Sequence, residues 1–237
     1  MPVQKKQPKP KQPKEADAAK GKKKLLIVDD HPLIRERVAE LINSEPDLVV
    51  CGEAGDANEA LAAAKALSPD MAIIDITLKD TYGIELVKQL KELYPKLPML
   101  VLSMHEESMY GERALRAGAK GYLTKQEASK KIVDAIRRIL RGEIYVSEKL
   151  GAALLQKVAG VKSDTTGGGS PIDVLTDREL EVFQLMGEGH AVRDIAERLF
   201  VSVKTVEAHR EHIKQKLKFK SSSELLRYAI QYTLQEK

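Results

Sequence analysis

Residues 72–75 read Ala-Ile-Ile-Asp, a short apolar run that ends on a carboxylate, and residues 25–30 read Leu-Leu-Ile-Val-Asp-Asp, which end on two. Two later apolar runs end on the hydroxyl of Ser103 and the ammonium of Lys125. Apolar runs of this length are typical of buried strands. In an open parallel sheet the carboxyl ends of the strands meet at one edge, where α/β proteins place their sites. The sequence therefore predicts that these polar groups lie together.

Length and composition suit two modest domains or one large one. The chain has 237 residues, 43% of them hydrophobic, which is enough for packed cores. Its single cysteine, Cys51, excludes an internal disulfide and a thiolate metal cluster. No run approaches membrane-spanning length, and the N-terminus lacks the apolar segment of a secretory signal. We therefore expect a cytoplasmic protein with no membrane partner.

The net charge of +4 is unevenly distributed. Residues 1–24 hold nine lysines and two acids, whereas residues 25–142 hold 16 basic and 19 acidic side chains. Residues 1–23 have almost nothing apolar to bury, so we expect a disordered basic tail. Such a tail either strengthens non-specific DNA binding or only keeps the chain soluble, and the second interpretation is the simpler one.

Between residues 24 and 142, apolar runs alternate with segments of helical period. The runs begin near residues 25, 48, 71, 99 and 120. Five such βα repeats predict a doubly wound, five-stranded parallel sheet of the flavodoxin-like class. Residues 143–173 are predicted as a linker, with a short amphipathic helix over 151–161 and a Gly/Ser-rich stretch from Ser163. Residues 174–237 have helical period throughout, which predicts a small all-α domain of four helices.

The polar groups at the sheet edge suit phosphoryl transfer onto Asp75. Carboxylates of Asp29, Asp30 and Asp75 could hold Mg²⁺, which prefers a few carboxylates together with water. Lys125 and Ser103 could then stabilise the charge on the phosphoryl oxygens. A haloacid-dehalogenase-type enzyme also uses an aspartate at a strand end. That class needs a second aspartate two residues later, where this chain has a threonine.

This arrangement resembles the receiver domain of two-component response regulators. The residues that carry the resemblance occupy that family's order and strand positions: Asp29, Asp30, Asp75, Ser103 and Lys125. The resemblance implies that Asp75 accepts the phosphoryl group and that Asp30 is the chief Mg²⁺ ligand, assisted by Asp29. It also implies that the backbone carbonyl of Thr77 is a further ligand. A flavodoxin-like domain with an incidental acidic rim is the structural alternative.

The resemblance further implies a switch and shows two departures. Ser103 would turn toward the phosphoryl group, and Tyr122 would repack inward with it. Receivers usually carry proline four residues after the acceptor, but this chain has Lys79, so the loop is predicted to be less rigid. Gln126 replaces a proline that many receivers have after the lysine.

The C-terminal helices have helix-turn-helix spacing, with a turn at residues 200–202 before a third helix over about 203–217. If Val206 points inward, Ile213 lies within about 20° of it, so the opposite face is polar. The string Leu-Thr-Asp-Arg-Glu-Leu-Glu-Val at 175–182 and the string Ser-Val-Lys-Thr-Val-Glu-Ala-His at 202–209 resemble the LuxR-type DNA-binding domain.

That second resemblance implies a set of DNA contacts. Phosphate contacts are expected from four side chains: Lys204, Thr205, Arg210 and Lys214. Base contacts are expected from three: Glu207, Ala208 and Glu211. The last helix, from about Ser222 to Leu234, is more apolar than one core needs, and a dimer contact is favoured there.

Together the two resemblances predict a NarL/FixJ-family response regulator rather than an enzyme, apart from its own phosphoryl transfer and dephosphorylation. The implied partners are a cognate histidine kinase, double-stranded DNA and a second copy of the chain when phosphorylated, with Mg²⁺ as cofactor. Two alternatives remain. One is a receiver that works without phosphorylation, and the other, disfavoured, is a LuxR regulator that binds an autoinducer.

Overall fold

Five strands form one parallel sheet in the computed structural model, which describes residues 21–78, 81–104, 107–159 and 171–235. The strand order is β2-β1-β3-β4-β5. The strands are β1 Lys23–Val28, β2 Leu48–Ala54, β3 Met71–Ile74, β4 Met99–Ser103 and β5 Gly121–Thr124. The flanking helices are α1 Pro32–Asn43, α2 Ala57–Leu67, α3 Gly83–Leu93, α4 Glu107–Ala117 and α5 Lys125–Leu140. The predicted doubly wound sheet is therefore confirmed.

Both faces of the sheet are buried, which explains why the strands read as continuous apolar runs. Successive side chains of β1 alternate between two cores: Leu25 and Ile27 pack with α1 and α5, whereas Leu26 and Val28 pack on the other face. All four are at most 1% exposed. Burying each such side chain stabilises the fold by about 1.5–3 kcal/mol.

The C-terminal domain is helical, as predicted. A 3-10 helix at Pro171–Val174 precedes α7 Asp177–Gly187, α8 Val192–Arg198, α9 Val203–Lys216 and α10 Ser222–Gln235. Thr176 caps α7 with its side chain, and the backbone N–H of Thr176 donates to Oε2 of Glu179 at 2.7 Å. This pair completes the capping box expected from the sequence.

Residues 143–158, predicted as part of the linker, lie on the α/β domain. Tyr145 pairs with the edge of β5, and α6 Glu148–Val158 packs against α4. The Gly/Ser-rich stretch that follows Ser163 lies outside the described residues, as do most of the basic tail and Lys79 in the loop after β3. The domain boundaries themselves stay predictions.

The two domains contact each other directly, a contact that the linker alone did not predict. The Tyr110 hydroxyl donates to Oε1 of Gln184 at 2.8 Å in a buried position. Arg113 donates to two backbone carbonyls just before α7, at 2.7 and 2.9 Å, and to the Asp177 carboxylate at 3.1 Å. One apolar cluster runs continuously from the sheet into α7. Among the described residues, no helix is both long enough and apolar enough to cross a membrane.

Candidate functional site

The carboxyl ends of the central strands bring the predicted polar groups to one edge. Asp75 directly follows β3, and its backbone N–H donates to the carbonyl of Val28 at the end of β1, at 2.8 Å. Ser103 pairs in register with Thr124, the residue before Lys125. The parallel register therefore places the acidic, hydroxyl and amino groups on adjacent strand ends, as expected for an open α/β sheet.

Lys125 lies between two buried carboxylates. Its Nζ is 2.7 Å from Oδ2 of Asp75 and 2.6 Å from Oδ2 of Asp29. All three side chains are at most 6% exposed. The ammonium therefore neutralises the negative charge that the acidic residues would otherwise concentrate.

Electrostatics at this edge disfavour the ionised form of Asp75. Burial raises the pKa of Asp75 to about 7, the Lys125 ammonium acts in the opposite direction, and the neighbouring Asp29 carboxylate raises the value further. Burial also opposes the charge on Lys125, but the two carboxylates outweigh it, so the pKa of Lys125 is raised. A cation added to this pocket would favour ionised Asp75.

A third acid and a histidine complete the cluster. One ligand atom from each of Asp29, Asp30, His31 and Asp75 lies within 4.8 Å of the others. Nδ1 of His31 is 2.6 Å from an Asp30 oxygen and 3.2 Å from an Asp29 oxygen. The three carboxylates supply the hard oxygen ligands that suit Mg²⁺. The position of His31 beside them was missed by sequence reasoning, although it directly follows the acidic pair.

Gly83 positions the strand end and was also missed. A Cβ at this residue would lie 1.9 Å from the carbonyl oxygen of Asp75, so α3 can begin here only with glycine. The Gly83 N–H donates to the carbonyl of Ile76 at 2.6 Å. Thr77, the expected carbonyl ligand, pairs with Tyr82 across the same loop. In the sequence Gly83 follows the end of β3 by nine residues, so no local pattern marks its approach to Asp75.

Both predicted switch residues are buried. Ser103 is 0% exposed at the end of β4, and Tyr122 is 1% exposed in the middle of β5. Val101 and Tyr122 are register partners, so the ring lies beside the strand that ends in Ser103. Tyr122 is therefore buried in the unphosphorylated protein, and its repacking with Ser103 stays a prediction.

The helical domain exposes the predicted recognition face of α9. Val206 and Ile213 are 0% exposed, which confirms the inward face, whereas Lys204, Glu207, Ala208 and Glu211 are exposed. Ser202 caps the helix by accepting from the backbone N–H of Thr205 at 3.0 Å. The cap fixes where α9 begins, and the burial of Val206 and Ile213 leaves the polar face outward.

Several of the predicted DNA contacts have partners within the chain. The Thr205 hydroxyl lies 2.8 Å from the Ser202 hydroxyl, and Lys214 pairs with Glu211 at 2.6 Å. The hydrogen bond from Lys214 lowers the pKa of Glu211, with a further contribution from Gln215. Arg210 is half-buried. Of the predicted set, Lys204, Glu207, Ala208 and Glu211 are therefore exposed, whereas Thr205, Arg210 and Lys214 are half-buried.

Comparison with known proteins matches both halves of the chain. Residues 25–137 match the response regulator receiver domain, and residues 173–229 match the bacterial regulatory proteins of the luxR family. The oxygen regulatory protein NreC of Staphylococcus haemolyticus is 37% identical over 213 residues, covering 89% of this chain and 98% of that protein. The NreC protein of Staphylococcus carnosus is 35% identical with the same coverage.

Solved structures agree with these matches. The response regulator RcsB of Salmonella enterica serovar Typhimurium, bound to the rprA promoter with the phosphomimetic BeF3−, superposes with a TM-score of 0.58. It is 26% identical and covers 88% of this chain and 98% of its own. A LuxR-family two-component response regulator from Aurantimonas is 32% identical with a TM-score of 0.54, covering 58% and 99%.

The matched domains carry general implications. A receiver domain implies a histidine kinase as partner and an acidic pocket for Mg²⁺, and a LuxR-type domain implies DNA binding and transcription regulation. The order of the two domains is the same as in the full-length relatives. The chain belongs to the NarL/FixJ family of two-component response regulators, which join a receiver domain to a LuxR-type helix-turn-helix domain.

Proposed function

We propose that a histidine kinase phosphorylates Asp75 and that this modification controls DNA binding by α9. The position of Asp75 carries the proposal, because it follows β3, the middle strand of the sheet, and its carboxylate accepts a hydrogen bond from Lys125 at 2.7 Å. In the transfer, an Asp75 oxygen attacks the phosphorus, a P–O bond forms, and the P–N bond to the phosphohistidine imidazole breaks. Lys125 holds the developing charge, and Ser103 is proposed as the hydroxyl that the phosphoryl group recruits.

Mg²⁺ is the proposed cofactor of this transfer. Asp29, Asp30 and Asp75 are the proposed ligands, and the clustering of these three carboxylates supports this choice. The backbone carbonyl of Thr77 is proposed as a further ligand. When bound, the ion would offset the charge of the phosphoryl oxygens. Lys125 already occupies the space between two of the ligands, so ion binding and the lysine contacts are coupled.

Phosphorylation is proposed to act through Ser103 and Tyr122 on the face formed by α4, β5 and α5. Ser103 ends β4 and Tyr122 lies on the adjacent strand, and both are buried. A shift of either side chain therefore requires neighbouring side chains to move, since closely packed interiors do not deform continuously.

DNA contacts are proposed on α9. Lys204, Thr205, Arg210 and Lys214 would contact phosphates, and three further residues would face bases: Glu207, Ala208 and Glu211. The exposure of Lys204, Glu207, Ala208 and Glu211 supports this assignment. Phosphate contacts would fix the register of the helix, and the glutamates could accept from cytosine N4. This role also places the chain in the cytoplasm, where bacterial DNA lies.

A homodimer through α10 is proposed for the phosphorylated protein. Leu226, Ile230 and Leu234 are 38%, 37% and 68% exposed along the outer side of this helix. Their spacing of four residues gives a continuous apolar stripe, which suits an isologous contact with a second copy.

Phosphoryl labelling tests the acceptor assignment. Acetyl phosphate with Mg²⁺ is expected to add one phosphoryl group to the wild-type chain and none to Asp75→Ala, measured by intact mass. The matched control is Asp47→Ala, an exposed aspartate that should leave labelling unchanged. Full labelling of Asp75→Ala would refute the assignment.

A phosphorylation-independent DNA-binding module is the second candidate. The exposed recognition face in the unmodified protein favours it. Fluorescence anisotropy with promoter DNA from the chain's own gene neighbourhood separates the two functions. Tighter binding after acetyl phosphate supports control by phosphorylation, whereas identical affinity with and without the donor supports the second candidate.

A further inference from the structure

The segment after α5, residues 143–158, is tied to β5 at its beginning. The Tyr145 N–H donates to the carbonyl of Lys120 at 2.9 Å, and the Tyr122 N–H donates to the carbonyl of Tyr145 at 2.9 Å. The guanidinium of Arg138 lies 5.2 Å from the centre of the Tyr145 ring, within cation–π range. We call residues 143–158 the strap. Its first residues are therefore bonded to the backbone of Tyr122 itself.

The strap then docks on one face of α4. The Ser147 N–H donates to a Glu107 carboxylate oxygen at 2.9 Å, which joins the start of α6 to the start of α4. One turn further on, Leu150 is 8% exposed and lies over Gly111. A Cβ at Gly111 would lie 2.5 Å from Cδ2 of Leu150. The absence of a side chain at this residue therefore creates the space that Leu150 fills.

An adjacent face of α4 holds the DNA-binding domain. Tyr110 and Arg113 make the contacts to Gln184, Asp177 and the carbonyls before α7. At 100° per residue, these two positions lie about 110° around the helix from Glu107 and Gly111. The strap and the output domain therefore pack on neighbouring faces of the same three-turn helix.

We propose that the strap is a latch whose attachment to α4 and β5 holds the output domain in place. With Leu150 seated at Gly111 and Tyr145 bonded to Tyr122, α4 is fixed in the orientation in which Tyr110 and Arg113 reach α7. When the strap lifts, α4 loses the packing on one face, and its contacts to α7 weaken. Strap release and domain separation are therefore one coupled event.

The coupling follows from how α4 is supported. Glu107 is the first described residue of the helix, so the hydrogen bond from Ser147 fixes the beginning of α4. The packing of Leu150 on Gly111, which we call the seat, fixes its middle. The planar guanidinium of Arg113 donates to three acceptors, and this geometry tolerates little rotation of the helix. A small rotation of α4 after the strap detaches is enough to misalign these hydrogen bonds.

Substitutions at the seat test the latch directly. Gly111→Leu fills the space taken by Leu150 and should lift the strap, and Leu150→Ala should weaken its attachment. The double variant Gly111→Leu/Leu150→Ala moves the leucine from one side of the contact to the other, so the total side-chain volume rises by only one methyl group. It should restore attachment, and this rescue separates a specific seat from general damage to the fold.

Two measurements on the full-length, unphosphorylated chain give the result. Amide exchange over residues 145–156 should rise about tenfold or more in Gly111→Leu, because the buried leucine contact is lost, and return toward wild type in the double variant. Exchange in β1 and β3 should stay unchanged and serves as the folding control. Spin labels at Lys65→Cys and Gln231→Cys, both exposed, in a Cys51→Ala background report the distance between the domains.

Amide exchange in the strap and the distance between the two domains should change together. Gly111→Leu should shift the label distances from a narrow to a broad, longer distribution, and the double variant should return them. A lifted strap with unchanged label distances would refute the coupling, and an unchanged strap in Gly111→Leu would refute the seat. Neither outcome depends on the acceptor role of Asp75, since no phosphoryl donor is present.

Discussion

Replacing Asp75 with asparagine should make the receiver domain more stable. The carboxyl is 3% exposed, and burial is the main reason why its pKa is raised from about 3.8 to about 7. A rise of about three pKa units at 1.36 kcal/mol each sets an upper limit of about 4 kcal/mol for the cost of ionising it in the fold. Asparagine keeps the shape and can still accept a hydrogen bond from Lys125. We expect a gain of about 1–4 kcal/mol in the free energy of unfolding at pH 8.

The sign of the pH dependence follows from the raised pKa. Above about pH 7 the carboxyl is ionised in both the folded and the unfolded chain, so the full cost is present. As the pH falls through 7, the folded protein binds a proton before the unfolded chain does, and the cost is relieved. Below about pH 3.8 both states are protonated. The advantage of Asp75→Asn should therefore be largest at pH 8 and smaller at pH 5.5.

Urea unfolding in EDTA, followed by circular dichroism at both pH values, measures this difference. Thermal unfolding gives a second readout, since about 1 kcal/mol corresponds to about 2–4 °C for a chain of this size. Asp47→Asn is the matched control: it is exposed, and the hydrogen bond from Arg137 lowers its pKa, so no gain is expected. If Asp75→Asn is less stable than the wild type at pH 8, or if its advantage does not shrink at pH 5.5, burial is not the main cost of ionising Asp75.

Three further results are expected. Arg113→Ala should separate the domains, with about a tenfold loss of the closed population by spin-label distances, whereas Arg116→Ala, one turn away and 76% exposed, should not. Burial raises the pKa of the Cys51 thiol, so labelling by iodoacetamide at pH 7.5 should be slow in the native chain and fast in urea. Lys204→Ala should weaken DNA binding about equally for all sequences and lower the salt slope of log K by about 1, measured by anisotropy at several salt concentrations.

Sequence patterns were most informative for features that depend on residues close together in the chain. The alternating apolar runs located all five strands, because both faces of a parallel sheet are buried. Thr176 and Glu179 marked the start of α7, since a capping box is a contact between residues three apart. Ser202 and Val206 likewise located the cap and the buried face of α9.

What sequence reasoning missed depends on tertiary contacts. The ion pairs that Lys125 makes with both Asp29 and Asp75 were not predicted, and its expected role toward a phosphoryl group stays a prediction. Residues 143–158 were expected to be linker, but the strap contacts involve positions about 25–40 residues away in sequence, such as Tyr145 with Tyr122 and Leu150 with Gly111. A single sequence gives no periodic signal for such pairs.

The placement of the domain contact constrains how regulation can work. The interdomain hydrogen bonds described above end on residues 172–184, in α7 and the segment before it, and the polar face of α9 is exposed while they are formed. Control of DNA binding therefore does not require uncovering Lys204 or Glu207. It can act on the position of the whole output domain, and position matters most where two copies must meet two half-sites at a fixed spacing. While the receiver domain holds α7, the output domain cannot move to match that spacing. When the contacts between α4 and α7 break, the output domain is free to move.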